Sequence, residues 1–149
     1  MIEHIWTVIC SRSIIDSETN NISLLETLEQ LTIESPIESN EAATISVGFE
    51  IVSYWVRSNA EVGAKGRGNI VLENPAGASV NEIPFEIDLD SYPRLRTRIK
   101  FFGFPATPGR YNFSVQVSTD EQTEWASVVK VPIFVVATEQ TGSSVGETS

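Results

Sequence analysis

Apolar and polar side chains alternate along most of the chain, and turn signals interrupt the alternation about every ten residues. The clearest run is Arg94-Leu95-Arg96-Thr97-Arg98-Ile99-Lys100-Phe101. Successive side chains of an extended strand project to opposite faces. Arg94, Arg96, Arg98 and Lys100 therefore share one face, and Leu95, Thr97, Ile99 and Phe101 share the other. The same period of two runs through Ala43 to Arg57, where Ile45, Val47, Phe49 and Ile51 oppose Ser46, Gly48 and Glu50. It recurs in Ile83, Phe85, Ile87 and Leu89 against Pro84, Glu86, Asp88 and Asp90, and in Tyr111, Phe113, Val115 and Val117. The pattern predicts an all-β chain: an antiparallel β-sandwich of Greek-key, immunoglobulin-like type with seven to eight strands, each sheet wetted on one face.

Other segments read less regularly. Glu3 to Arg12 is predicted as a first strand, and Asp16-Ser17-Glu18-Thr19-Asn20-Asn21 as a polar turn, because Asn and Asp bond their own backbone and tolerate left-handed angles. Ile22 to Glu34 carries Leu24, Leu25, Leu28 and Leu31 at helical spacing, yet it follows a hairpin signal; a long, bulged strand is favoured over a helix. Val52 to Val56 is apolar on both faces, which calls for a bulge or a covered outer face. Ser58 to Gly68, with Asn59, Gly63, Gly66 and Gly68, reads as a flexible hairpin connection. Pro132 lies inside the last strand, and proline cannot donate to a ladder, so that strand is expected at an edge or bulged. Residues 1–136 are expected to form one domain. Ser35 to Asn40 reads as a loop around Pro36, and 137–149 as a disordered tail without a core-forming pattern.

Charge and composition narrow the function classes. Ten Lys+Arg against twenty Asp+Glu leave a formal net charge of -10, which repels nucleic acid and anionic membranes. No apolar run approaches the roughly 18 residues of a membrane-spanning helix. The opening Met1-Ile2-Glu3-His4 holds an acid, no Lys or Arg and no long apolar stretch, so no signal peptide is expected and the cytoplasm is the default compartment. Cys10 ends the apolar run Ile5-Trp6-Thr7-Val8-Ile9 and reads as a core residue rather than a reactive thiol. With one histidine, His4, and one cysteine, neither a nucleophilic triad nor a zinc site is expected, and no metal or cofactor is predicted. Gly63-Ala64-Lys65-Gly66-Arg67-Gly68 lacks the Gly-Lys-Ser/Thr ending of a phosphate-binding loop, and a strand follows it rather than a helix.

Two segments carry a resemblance. Ile5 to Cys10 followed by Asp16-Ser17-Glu18-Thr19-Asn20-Asn21-Ile22-Ser23-Leu24-Leu25 resembles the start of small uncharacterised bacterial domains, in which an apolar strand ending near a Cys leads through a polar hairpin into a Ser-Leu strand. Thr107-Pro108-Gly109-Arg110-Tyr111-Asn112-Phe113-Ser114-Val115 resembles the Pro-Gly-x-Tyr-x-Phe-x-Val turn and strand of many immunoglobulin-like sandwiches. The resemblance implies a bacterial β-sandwich and brings no catalytic residue with it.

The candidate chemistry lies on surfaces. Glu86, Asp88 and Asp90 sit on one face of a strand separated by three residues from the cationic one, so a hairpin of the two would set them opposite Arg94, Arg96 and Arg98. In that arrangement each exposed pair contributes about 0 to 1 kcal/mol. Alternatively Arg94, Arg96, Arg98 and Lys100 form a binding site for an anion or an acidic partner. Trp55 and Phe102 are the aromatic candidates for a partner or self-association surface. The leading expectation is a non-enzymatic cytoplasmic protein-interaction module, with self-association as one form of that interaction. Its rivals are a sandwich that binds a small anion or carbohydrate through strand 94–100, and a carboxylate-dependent hydrolase. A flat outer face on the cationic strand would speak for a protein partner, a concave one for a ligand.

The class assignment has a direct check. Far-ultraviolet circular dichroism is expected to show a β-dominated spectrum with helix below about 15%, and a helical double minimum would contradict it.

Overall fold

Alternation becomes architecture through two packed sheets. The computed structural model describes residues 1–34, 44–59, 61–119 and 124–138. Nine strands form among them: β1 (Ile2–Ile15), β2 (Ile22–Thr27), β3 (Gln30–Ile33), β4 (Thr44–Arg57), β5 (Lys65–Glu73), β6 (Ser79–Asp88), β7 (Arg94–Pro105), β8 (Gly109–Thr119) and β9 (Ala126–Ala137). One sheet has four strands in the order β2-β1-β4-β7, and the other has five in the order β3-β9-β8-β5-β6. Every pairing is antiparallel except β3 with β9. The expected antiparallel sandwich is thus the fold of the chain.

The strand beyond the expected count comes from Ile22 to Glu34, which is neither a helix nor one long strand. Glu26 takes a left-handed φ of 58°, which breaks the extended run. The chain then leaves β1, where Leu28 N–H donates to the Ile9 carbonyl at 2.7 Å, and crosses to the other sheet as β3. Leu31 and Ile33 reach the core from there. Their helix-like spacing with Leu24, Leu25 and Leu28 is produced by two strands in two sheets.

The core lies between the sheets and is filled by the predicted inward residues. Phe49 stacks on Phe101 with ring centroids 5.0 Å apart, and Phe104 and Phe113 meet Phe49 at steeper angles. Phe101 and Phe104 are both buried although three residues apart, because the β4–β7 register slips between Ser46 and Phe49. Trp55 is fully buried, and its indole N–H donates to Thr97 Oγ1 at 3.0 Å. Tyr111 anchors the start of β8: its ring is buried and its hydroxyl donates to the Thr107 carbonyl at 2.8 Å. A tyrosine bonding back to the corner that precedes its own strand is a device of immunoglobulin-like sandwiches.

Three local expectations resolve here. The stretch from Ser58 to Gly68 is not a hairpin, since β4 and β5 belong to different sheets, and Gly66 and Gly68 lie inside β5. A Cβ on Gly68 would run into the Phe85 ring, so this glycine serves close packing rather than flexibility. Pro132 is tolerated because β3 pairs with β9 only from Phe134 onward, leaving β9 with no β3 partner at Pro132. At the C-terminal end Thr138 is tied to β3, its N–H donating to the Ile33 carbonyl at 2.9 Å, so the folded part extends past Val136. The remainder of the expected tail, and the loop around Pro36, lie outside the described residues.

Replacing Tyr111 with Phe removes the corner hydrogen bond and keeps the packing. It is expected to lower the stability by about 0.5 to 1.5 kcal/mol, read from the midpoint of denaturant unfolding. Tyr111→Ala, which also empties buried volume, is expected to cost about 3 to 5 kcal/mol.

Candidate functional site

The candidate site is built by the first hairpin. β1 pairs with β4 from Ile2 as far as Cys10, which faces Glu50, and then continues with β2 alone to Ile15. The turn at its end is rigid: Asp16 Oδ1 accepts from the N–H groups of Glu18 at 2.8 Å and Thr19 at 3.0 Å, and Asn20 takes a left-handed φ of 60°. Those two N–H bonds, Thr19 first, hold the exposed Asp16 carboxyl below its ordinary pKa.

The hairpin end does not lie flat beside β1. Arg98, on the far side of β4, donates from Nε to Ser13 Oγ at 2.8 Å and from Nη2 to the Ser13 carbonyl at 3.3 Å. Arg96 donates from Nη2 to the Asn20 carbonyl at 2.8 Å and to Asn20 Oδ1 at 3.1 Å. Because the sheet order is β2-β1-β4-β7, these contacts carry the hairpin across the outer face of β4. Beneath it Glu50, Val52 and Cys10 are 5%, 0% and 0% exposed. The apolar, two-faced end of β4 therefore has a covered outer face.

Glu50 is the acid at the centre of this cover. Ser13 donates to it from Oγ at 2.5 Å and from its backbone N–H at 3.4 Å, and Arg98 Nε lies 3.7 Å away. Cys10 sits beside it, and burial first, then the Glu50 charge, push the thiol pKa up. A protonated, fully enclosed thiol is a packing group, as expected from the sequence. His4, on the inner face, packs edge-on to Trp55 at 5.1 Å and is hydrogen-bonded to Thr7 at 2.7 Å, and burial lowers its pKa.

Between the hairpin turn and the sheet is a cleft of about 630 Å³. Register places Trp6, Tyr54 and Arg96 side by side on β1, β4 and β7, and Trp6 and Tyr54 meet with ring centroids 5.7 Å apart. These rings line the cleft with Arg94, Arg96 and Arg98, and Asn20, Asn21 and Ile22 come from the hairpin. The three arginines are not equivalent. Arg98 is committed to Ser13 and Glu50, Arg96 uses one nitrogen on Asn20, and Arg94 has no partner among the described residues. Guanidinium donors beside two aromatic rings can hold a carboxylate or phosphate and stack a flat ring next to it.

The sequence-based site residues divide accordingly. Arg94, Arg96 and Arg98 come together in the cleft. Lys100 lies farther along the same face, opposite the buried Glu50 and without a partner of its own among the described residues. Phe102 is 78% exposed beyond the cleft. Trp55 is not a surface residue at all, because it shares the inward parity of Phe49 and Ile51. That same parity puts its neighbour Tyr54 outward, a signal that would have found the right aromatic. Trp6 and Asn20 had no such signal, since only the folding-over of the hairpin brings them to β7.

The expected ladder of Glu86, Asp88 and Asp90 against Arg94, Arg96 and Arg98 does not form. β6 and β7 belong to different sheets, and the five-residue link between them crosses the sandwich instead of closing a hairpin. Glu86 and Asp88 instead face Arg67 and Lys65 on β5, and Lys65 Nζ lies 3.8 Å from Asp90.

No family model matches the chain, and none of the curated proteins matches it. Among solved structures it is similar to the CooA pilin subunit from enterotoxigenic Escherichia coli, with 13% sequence identity and a TM-score of 0.29 over 87% of this chain and 97% of that one. So loose a superposition assigns neither fold nor function.

The division among the arginines predicts unequal stability effects. Arg98→Ala strips a charge-assisted partner from buried Glu50 and is expected to cost about 1.5 to 3 kcal/mol. Arg94→Ala is expected to stay within about 0.5 kcal/mol of the parent. Equal, small losses in denaturant titrations would show that Arg98 is a surface charge only.

Proposed function

We propose that this protein is a non-enzymatic binding domain whose cleft under the β1–β2 hairpin takes an anionic group, a carboxylate or phosphate, attached to a flat ring. The observation that carries this reading is the junction of Arg94, unpartnered among the described residues, and Arg96, which uses one nitrogen on Asn20, with the Trp6–Tyr54 pair in one cleft. The outer face of the cationic strand is concave there, which favours a ligand over a flat protein contact along Arg94 to Arg98. Arginine suits the task because its planar fork meets a carboxylate or phosphate through two parallel hydrogen bonds. On a chain of net charge -10, a local cluster of cations also directs an anion to this one place.

Titration with benzoate, phenyl phosphate and an uncharged oligosaccharide, followed by tryptophan fluorescence, tests the reading and separates its ligand classes. The aromatic anions are expected to bind and the neutral sugar not. Arg94→Ser is expected to weaken the anions about tenfold or more, in line with one charged hydrogen bond. Binding is also expected to weaken as salt rises through about 0.15 M. Equal binding of sugar and anion, unchanged by Arg94→Ser, would overturn the anion reading in favour of a carbohydrate.

A further inference from the structure

We infer that the outer edge of β7 is a docking site for an extended protein segment in which acidic and apolar residues alternate, added to the four-stranded sheet as a further strand. A strand at the end of a sheet presents a row of unpaired N–H and C=O groups, which another chain can complete. Among the described residues β7 pairs with β4 alone, and no other strand is paired to its other side.

The remaining edges are closed by local chemistry. β2 is interrupted by the left-handed φ of 58° at Glu26, β3 has only 4 residues, and β6 carries Pro84 in its middle. From Arg94 to Phe102, β7 has neither a proline nor a left-handed residue. It is therefore the one edge in the described structure with a long regular stretch of backbone to offer.

Its side chains specify the occupant. A strand laid beside β7 brings its Cβ atoms within about 4.5 to 5.5 Å of those facing them. On the outer face it would meet Arg94, the unused part of Arg96, and Lys100; Arg94 and Lys100 have no partner among the described residues. On the inner face it would meet Leu95 and Ile99, which are only partly buried against the core. Acidic residues on one side and apolar residues on the other complete both rows. Pairing β7 with the β7 of a second copy would set cation against cation, which is unfavourable. Pairing it with the β6 of a second copy would meet Pro84. The charge pattern thus selects an acidic segment of another protein over self-association. Strand addition at this edge shares Arg94, Leu95 and Arg96 with the cleft, and it is told apart from cleft binding at Ile99 and Lys100, which lie outside the cleft.

The test uses the full chain and a synthetic peptide of about nine residues alternating Glu and Val, long enough to run from Arg94 to Phe102. Two further peptides carry backbone N-methyl groups on one alternate set of residues or on the other. Only the set whose N–H groups face β7 contributes to the ladder. Calorimetry is expected to show the parent peptide binding, one N-methylated peptide weakened at least about tenfold, and the other nearly unaffected. Lys100→Glu is expected to weaken the parent peptide and to strengthen a Lys-Val peptide. Equal binding of all three peptides would mean ionic attraction without strand addition and would overturn the inference, while leaving the cleft reading intact. Failure of the parent peptide to bind would overturn it as well. A molar mass of twice the chain's, undiminished by the peptide, would assign the edge to a second copy and overturn the acidic partner.

Discussion

A carboxylate on the outer face of a sheet belongs in water, and Glu50 is kept from it. Alternation along β4 points Glu50 away from the core, yet it is 5% exposed because the β1–β2 hairpin lies over it. Burying a charge is costly unless it is paired and hydrogen-bonded, and here both requirements are met from two directions. Ser13 arrives with the hairpin from one side, and Arg98 reaches over from β7 on the other. Each of the three groups needs the other two. Without the hairpin, Val52 and Cys10 would face solvent; without Arg98, the hairpin would close on an acid whose charge only a hydroxyl and one amide N–H oppose. The position of the cleft follows from this one contact, because it holds Asn20 and Ile22 above Tyr54.

The cationic strand consequently has two jobs. Arg98 is structural and Arg96 partly so, while Arg94 and Lys100 are left with positive charge facing outward. The cations of an exposed edge strand also guard it against pairing with its own kind. That protection has a chemical preference built into it: like charges are turned away, and acidic segments are not. Ligand capture in the cleft and strand capture at the edge draw on the same few side chains, so this side of the molecule concentrates its binding chemistry. The opposite side of the four-stranded sheet is closed by the chain itself as β2 passes over into β3.

Much of this was legible in the residues alone. A period of two assigns each strand its inward face, and the core residues of β6 and β8 are those the alternation predicts, including Tyr111 at its corner, while Phe104 of β7 joins the core out of phase through the slip in register. Side-chain parity depends only on local backbone geometry, which is why a single sequence can reveal it. The same parity places Tyr54 outward and Trp55 inward, against the expectation that made Trp55 the surface aromatic. The cations were visible as a run, and the two-faced end of β4 already called for a bulge or a cover.

What the residues could not show is which strand lies beside which. Strands β6 and β7 are neighbours in sequence, with acids and bases in matching alternation, and local reasoning joins them. The sandwich separates them instead, because Ile83, Phe85 and Ile87 on one and Leu95, Ile99 and Phe101 on the other bury their apolar rows in one core from opposite sheets. Burial of whole faces outweighs exposed ion pairs worth about 0 to 1 kcal/mol each. The partners of Arg96 and Arg98 are therefore long-range, 76 and 85 residues away at Asn20 and Ser13. The sequence alone determined the fold class and the faces; the tertiary structure decided the pairings, and with them the cleft, since no local pattern encodes a contact between segments that meet only when two sheets close over one core.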